Sequence, residues 1–75
     1  MFSREIFATR IRTLRSINGL TQGQLGDAVG LTKQAINNIE SGLRITALDK
    51  AYALADYFYV SLDYLVGRSD DPQRR

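Results

Sequence analysis

The stretch "GLTKQAINNIESG", residues 30–42, decides how this chain is read. Glycines bracket it. Thr32 stands where an N-cap would stand, its hydroxyl able to accept a first-turn N–H. Ile36 and Ile39 predict a helix over 33–41 with one apolar edge. At roughly 100° per residue, Asn37, Asn38 and Ser41 fall within about 60° of Gln34, while Ile36, Ile39 and Glu40 fall on the other side. Lys33 sits at the N-terminal rim of the same face. Asparagine is a mediocre helix former, and a merely solvated helix would more usually carry Glu, Lys or Ala there. A solvated polar face is the ordinary explanation of such a pattern. The sharper one is a face that meets matching donors and acceptors. Paired amide atoms can bond bidentately to adenine edges in the major groove, and Lys can reach guanine O6 and N7.

The residues just before it favour the sharper reading. "TQGQLGDAV" (21–29) opens on Thr21 with Gln24 three residues later, the pattern of a capping box. Gly30 then stops that helix. Two short helices joined at Gly30 and Leu31 make a helix-turn-helix. Leu25 and Ala28 of the first can pack on Ile36 and Ile39 of the second. Gly26, unfavourable by roughly 1 kcal/mol against Ala in mid-helix, suits a close approach of backbone or side chain.

Outward from this unit the chain punctuates itself with glycines and hydroxyl caps. "SREIFATRIRTLRSIN" (3–18) carries Phe7, Ile11 and Leu14 on one stripe, and Gly19 follows. Thr46 is a candidate cap for "ALDKAYALADYF" (47–58), whose stripe is Leu48, Ala51, Leu54, Ala55 and Phe58. Ser61 caps a short "LDYLV" (62–66) that ends at Gly67. No segment alternates with period two. The expectation is an all-α bundle of five short helices. Its domain spans 1–67, and 68–75 form a polar, frayed tail. The expected core is Ile11, Leu14, Leu20, Leu25, Val29, Leu31, Ile36, Ile39, Leu48, Leu54, Phe58, Val60, Leu62 and Leu65.

Composition limits the chemistry. Seventy-five residues have room for a single core. There is no Cys and no His, which removes disulfides, thiolate sites and the commonest general base and metal ligand. No enzymatic activity, cofactor or metal is expected. Apolar runs are too short to span a membrane, and no signal-peptide pattern opens the chain, so a cytoplasmic location is the expectation. The net charge is +2, but it is unevenly spread. Residues 1–45 hold six basic and three acidic groups, and residues 46–75 hold four basic and five acidic. Ordinary scatter explains this as well as a basic half that meets a polyanion.

The segment "RIRTLRSINGLTQGQLGDAVGLTKQAINNIESGLR", with "VSLDYL" downstream, resembles the Cro and phage-repressor type of helix-turn-helix domain, the Xre family. The matches are Arg10, Ile11, Leu14, Arg15, Gly19, Leu20, Thr21, Gln22, Leu25, Gly30, Leu31, Thr32, Ile36, Asn37, Ile39, Glu40 and Gly42. The resemblance covers about residues 7–66 and is specific for the family, not for one member. It implies that the helix over 33–41 docks in the major groove. Thr32, Lys33, Gln34, Asn37 and Asn38 would read bases or the nearest phosphates. Thr21, Gln22, Ser41, Gly42, Arg44 and, more weakly, Arg10 would meet phosphates. Arg12 would add a long-range attraction. Arg15 and Glu40 look like the family's intramolecular ion pair. Three departures stand out. Gly26 replaces a frequent Ala, which predicts a looser second helix. Ile45 and Thr46 replace a common N-P. Tyr59 replaces the usual Gly, so it must either avoid a positive φ or tolerate its strain.

The resemblance implies a transcriptional regulator, a repressor, that binds double-stranded operator DNA. A homodimer on a palindrome is expected, with two reading helices roughly 34 Å apart. Tyr57, Tyr59, Tyr64 and Leu65 are the candidate interface, since tyrosine is enriched at such surfaces. The same tyrosines could simply cover the core with their hydroxyls in water. An antitoxin-type role, or a protein-interaction module on the same scaffold, stays open. No membrane or small-molecule partner is expected.

Overall fold

The computed structural model describes residues 3–74. Five helices follow in order: α1 (Arg4–Ile17), α2 (Gln22–Val29), α3 (Lys33–Glu40), α4 (Leu48–Phe58) and α5 (Leu62–Leu65). No strand occurs among the described residues. None of the described helices is long and apolar enough to cross a membrane.

Four of the five helices start on a hydroxyl. Ser3, Thr21, Thr32 and Ser61 each accept a hydrogen bond from the backbone N–H three residues on. At Thr21 the box closes in both directions: Gln24 N donates to Thr21 Oγ1 at 3.0 Å, and Thr21 N donates to Gln24 Oε1 at 2.8 Å. Each such cap contributes about 1 kcal/mol. The exception is α4. Thr46 does not cap it. The N-cap is Ala47, with no side-chain bond, and Thr46 instead lines an apolar hollow beside Phe7 and Val66. Asp49 partly compensates, because its carboxylate lies in the first turn, where the helix dipole favours negative charge.

Every helix sends side chains to one core. Phe7 and Ile11 come from α1, Leu25 and Val29 from α2, Ile36 and Ile39 from α3, Leu54 and Ala55 from α4, and Leu65 from α5, with Val60 between the last two. Leu14, Leu20, Leu31 and Phe58 pack against it half-buried. Enclosing each large side chain contributes about 1.5–3 kcal/mol. Leu48, expected in this core, is 65% exposed. Its stripe position is correct for α4, but in the first turn it stands at the open wall of the hollow that Phe7 and Val66 line. Leu62 is only half-buried, and Ala28 is exposed rather than packed on α3.

The turn between α2 and α3 is tighter than expected from Gly26. A Cβ there would lie 2.4 Å from the Leu31 carbonyl oxygen. The missing methyl therefore brings the turn in, and Leu31 N donates to Gly26 O at 2.8 Å. Gly30 supplies the left-handed C-cap at φ 77°.

The tail is not frayed over the described residues. Ser61 N donates to Pro72 O at 3.0 Å, and Arg68 N to Asp63 O at 2.9 Å. Arg74 reaches back to Asp56 Oδ1 at 2.7 Å and lies over the Tyr59 ring. Backbone groups left free at the ends of α4 and α5 hold this segment, which is why its polar composition is a poor guide to its order.

Candidate nucleic-acid interface

The outward face of α3 forms because the helix buries Ile36 and Ile39. That fixes its rotation about its axis. Thr32, Lys33, Gln34 and Asn37 are left exposed, and Asn38 half-buried. Gln34 Nε2 donates to Asn38 Oδ1 at 3.0 Å along this face. An open groove of about 340 Å³ runs beside it, with Gln34, Asn38, Arg44 and Thr46 among its walls.

The end of α3 organises the flank. The Asn38 carbonyl accepts from Ser41 Oγ at 3.1 Å, Leu43 N at 3.0 Å and Arg44 N at 3.2 Å. Gly42 takes φ 77° to allow this turn. Ser41 and Arg44 are thereby placed at the C-terminal edge of the face, both exposed. Thr21 is exposed at the start of α2. Thr32, Lys33, Gln34, Asn37 and Asn38 thus lie on α3 or at its N-cap, Ser41, Gly42 and Arg44 follow its C-terminus, and Thr21 caps α2.

Behind the face lies a charged anchor. Arg15 grips Glu40 with two bonds, Nε to Oε2 at 2.5 Å and Nη2 to Oε1 at 2.9 Å. Its third nitrogen donates to Leu20 O at 2.8 Å. Glu40 is nearly enclosed, its side chain 4% exposed. The hydrogen bond to Glu40 raises the Arg15 pKa; burial opposes this, and the charge of Glu40 adds to it. Gln22 Nε2 also donates to Glu40 Oε1, at 3.2 Å, and Arg12 Nη1 donates to the Glu40 carbonyl at 3.0 Å. Glu40 therefore joins α1, the first turn of α2 and the end of α3. Gln22 is part of this anchor, with its amide turned inward. Arg12 holds the end of α3 as well as carrying charge, a role that its sequence position did not disclose.

Arg10 is engaged elsewhere in the fold. Its Nη1 donates to Tyr64 O and to Ser69 O, the latter at 2.7 Å, and Nη2 reaches Asp70 Oδ1 at 2.7 Å. Its guanidinium carbon lies 4.1 Å from the centre of the Tyr64 ring. This arginine fastens α1 to α5 and the tail, and its charge is neutralised there. The expected dimer surface also changes. Leu65 is 0% exposed and lies in the core. Tyr64 is half-buried, with its ring under Arg10. Tyr57 and Tyr59 are exposed, as are Ile45, Leu48 and Tyr52.

Lys50 was absent from every sequence expectation. Its Nζ donates to the Val29 carbonyl at 3.4 Å, at the C-terminus of α2. A cation there favours the helix dipole. The pairing crosses from one helix to another, so no local spacing could have revealed it.

Comparisons with known proteins agree with this geometry. The helix-turn-helix family model matches residues 11–65. An uncharacterised HTH-type transcriptional regulator of Bacillus subtilis (strain 168), YobD, is 36% identical over 67 residues, which make up 89% of this chain and 60% of that protein. The chain thus spans less than two thirds of that relative's length. The crystal structure of the P22 c2 repressor protein in complex with synthetic operator 9T, in the presence of Tl+, matches with a TM-score of 0.80 at 28% identity. That match covers 84% of this chain and 96% of the other. With the family model matched from the middle of α1 to the end of α5, the chain belongs to the helix-turn-helix family.

Proposed function

We propose that this chain is a sequence-specific DNA-binding transcriptional regulator, a repressor that occupies its operator through α3. The observation that carries this is the outward face of α3. Lys33, Gln34, Asn37 and Asn38 stand together on the second helix of a helix-turn-helix, with Thr21 capping the first helix and Arg44 following the second. Such side chains offer the donor and acceptor pairs that base edges in the major groove require. The first turn of α2 would sit against one phosphate and the Ser41–Arg44 turn against another. The relatives support the reading: one is described as a transcriptional regulator, and the other was solved on an operator.

The proposal is of a binding protein acting in the cytoplasm, with no catalytic step. It acts as a homodimer on a palindromic site, because one small domain makes few contacts and a second copy multiplies them. The dimer surface is the exposed apolar edge formed by Ile45, Leu48 and Tyr52. Ile45 and Leu48 form one wall of an apolar hollow of about 200 Å³, which Phe7, Ala51 and Val66 also line. A ridge next to a hollow suits a two-fold contact, in which each copy presents both. If the chain instead serves as a protein-interaction module or an antitoxin-type partner, the same edge is its binding surface and the amides of α3 are dispensable.

The test is selection of bound sequences from randomised duplexes by the purified protein, followed by titration of the winner across salt. The expected result is an enriched palindrome, with log K falling by about 0.9 per phosphate contact for each unit of log salt. Weak binding without sequence preference would overturn the reading.

A further inference from the structure

The hydrogen bond from Gln34 Nε2 to Asn38 Oδ1, at 3.0 Å, joins two side chains one helical turn apart on the outward face. Its two members are unequally held. The Asn38 backbone carbonyl accepts the three bonds that close the end of α3, and the residue is half-buried. Gln34 is exposed, with side-chain torsions that would otherwise leave its amide free to turn. Asn38 is therefore the fixed partner, and Gln34 is oriented by it.

The remaining hydrogen-bonding capacity follows from what an amide carries. Each offers a carbonyl oxygen and two N–H groups. With this bond made, Gln34 keeps its oxygen and one N–H, side by side. Asn38 keeps both N–H groups. The first set complements the N6 and N7 edge of adenine. The second set presents two donors beside an oxygen already engaged by Gln34, which suits guanine O6 and N7 or thymine O4.

We propose that Gln34 and Asn38 form a single reading unit for neighbouring base pairs. Asn38 donates to an acceptor edge and also sets the amide of Gln34 for adenine. The inference rests on the operator-reading role proposed above and adds how the bases are divided. Asn38 is a positioning residue for one base and a direct contact to the next. Loss of Asn38 thus relaxes specificity at two positions, and loss of Gln34 at one.

The test uses the operator recovered by selection. Dissociation constants are measured for every single base-pair substitution, with the unaltered protein, Gln34→Ala, Asn38→Ala and the double variant. Asn38→Ala is expected to lose at least about fivefold discrimination at its own position, and to lose discrimination at the adenine opposite Gln34 as well. The double variant should lose less than the product of the two single losses. Asn38→Asp separates the two roles. It still accepts the Gln34 N–H but cannot donate to a base. It should keep the preference for adenine and lose the acceptor-edge preference, read as ratios between operators so that general repulsion from DNA cancels. Losses confined to one position per variant, and multiplying in the double, would overturn the proposal. So would the reverse assignment, with adenine opposite Asn38. Failure of the unaltered protein to select any sequence is a different result: it would overturn the operator reading itself, and this inference with it.

Discussion

Arg15 of α1 holds Glu40 of α3 by two parallel hydrogen bonds, and the carboxylate so held is the most deeply enclosed charge among the described residues. The fork geometry of guanidinium and carboxylate makes this stronger than a single charged contact. Its position gives it a function: it fixes the last turn of α3, from which Asn38, Ser41 and Arg44 project. Glu40→Gln should therefore cost about 2–3 kcal/mol, because Arg15 and Gln22 lose a shared charged acceptor. A melting temperature lower by roughly 10 °C or more, read by circular dichroism, is the expected outcome for a domain of this size. Arg15→Lys should fall between, since an ammonium cannot form the fork. Through Arg15 the pair adds a pH dependence only at the alkaline extreme. Folding raises its pKa, so its contribution is complete below the ordinary arginine value and is lost only as pH rises past the folded one. An unchanged melting temperature in Glu40→Gln would remove the anchor from this account.

Tyr59 sits at φ 55° and ψ 47°, the only non-glycine residue at positive φ among those described. It tolerates the left-handed C-cap of α4 that glycine usually fills. The strain is about 1–2 kcal/mol for a residue with a Cβ. Little packing opposes its relief, because the side chain is 78% exposed. Its contact with Arg74 is an exposed cation–π interaction of about 0.5–1 kcal/mol. Tyr59→Gly should thus stabilise the fold by about 0.5–1 kcal/mol, with Tyr59→Asn a smaller gain, seen as a higher urea midpoint. A lower midpoint would mean that the tyrosine contributes more than its contacts suggest.

These two sites also mark how far the sequence could be read. The helix-turn-helix was legible because its signals are local: Thr21 with Gln24, Gly30, Thr32, and isoleucines at 36 and 39. Each acts within a turn of its own position. Arg10 was misread because its partners lie 54, 59 and 60 residues away, and two of them are backbone carbonyls, which leave no trace in residue identity. Lys50 escaped notice for the same reason. The tail was misjudged because its order comes from main-chain groups at Ser61 and Asp63. Leu48 was misplaced because periodicity reports which side of a helix a residue takes, not whether a neighbour covers that turn.

The two arginines assigned to phosphates differ in consequence. Arg44 is exposed beside α3, while Arg10 is neutralised by Asp70 and two carbonyls. Arg44→Ala should lower the slope of log K against log salt by about 0.9. It should weaken binding to all operators nearly equally. Arg10→Met should leave the slope unchanged and lower thermal stability instead. A slope that falls for Arg10→Met and not for Arg44→Ala would reverse the placement of the two residues at the interface.

Leu48 provides the sharpest test of the dimer. It is a large apolar side chain at 65% exposure on the first turn of α4, beside Ile45 and Tyr52. Its removal opens no cavity in the core, so Leu48→Lys should leave the monomer's unfolding free energy within about 0.5 kcal/mol of that of the unaltered chain. Two copies meeting at a two-fold axis would bring the new lysines face to face, with both apolar contact and charge opposing association. Sedimentation equilibrium should then show monomer at concentrations where the unaltered chain dimerises. Affinity for a full palindrome should fall toward that for a half-site, while half-site affinity stays constant. Leu65→Lys serves as the contrast: it should abolish folding altogether, because that side chain is wholly enclosed. A Leu48→Lys protein that still dimerises and binds the palindrome fully would move the interface to Tyr57 and Tyr59.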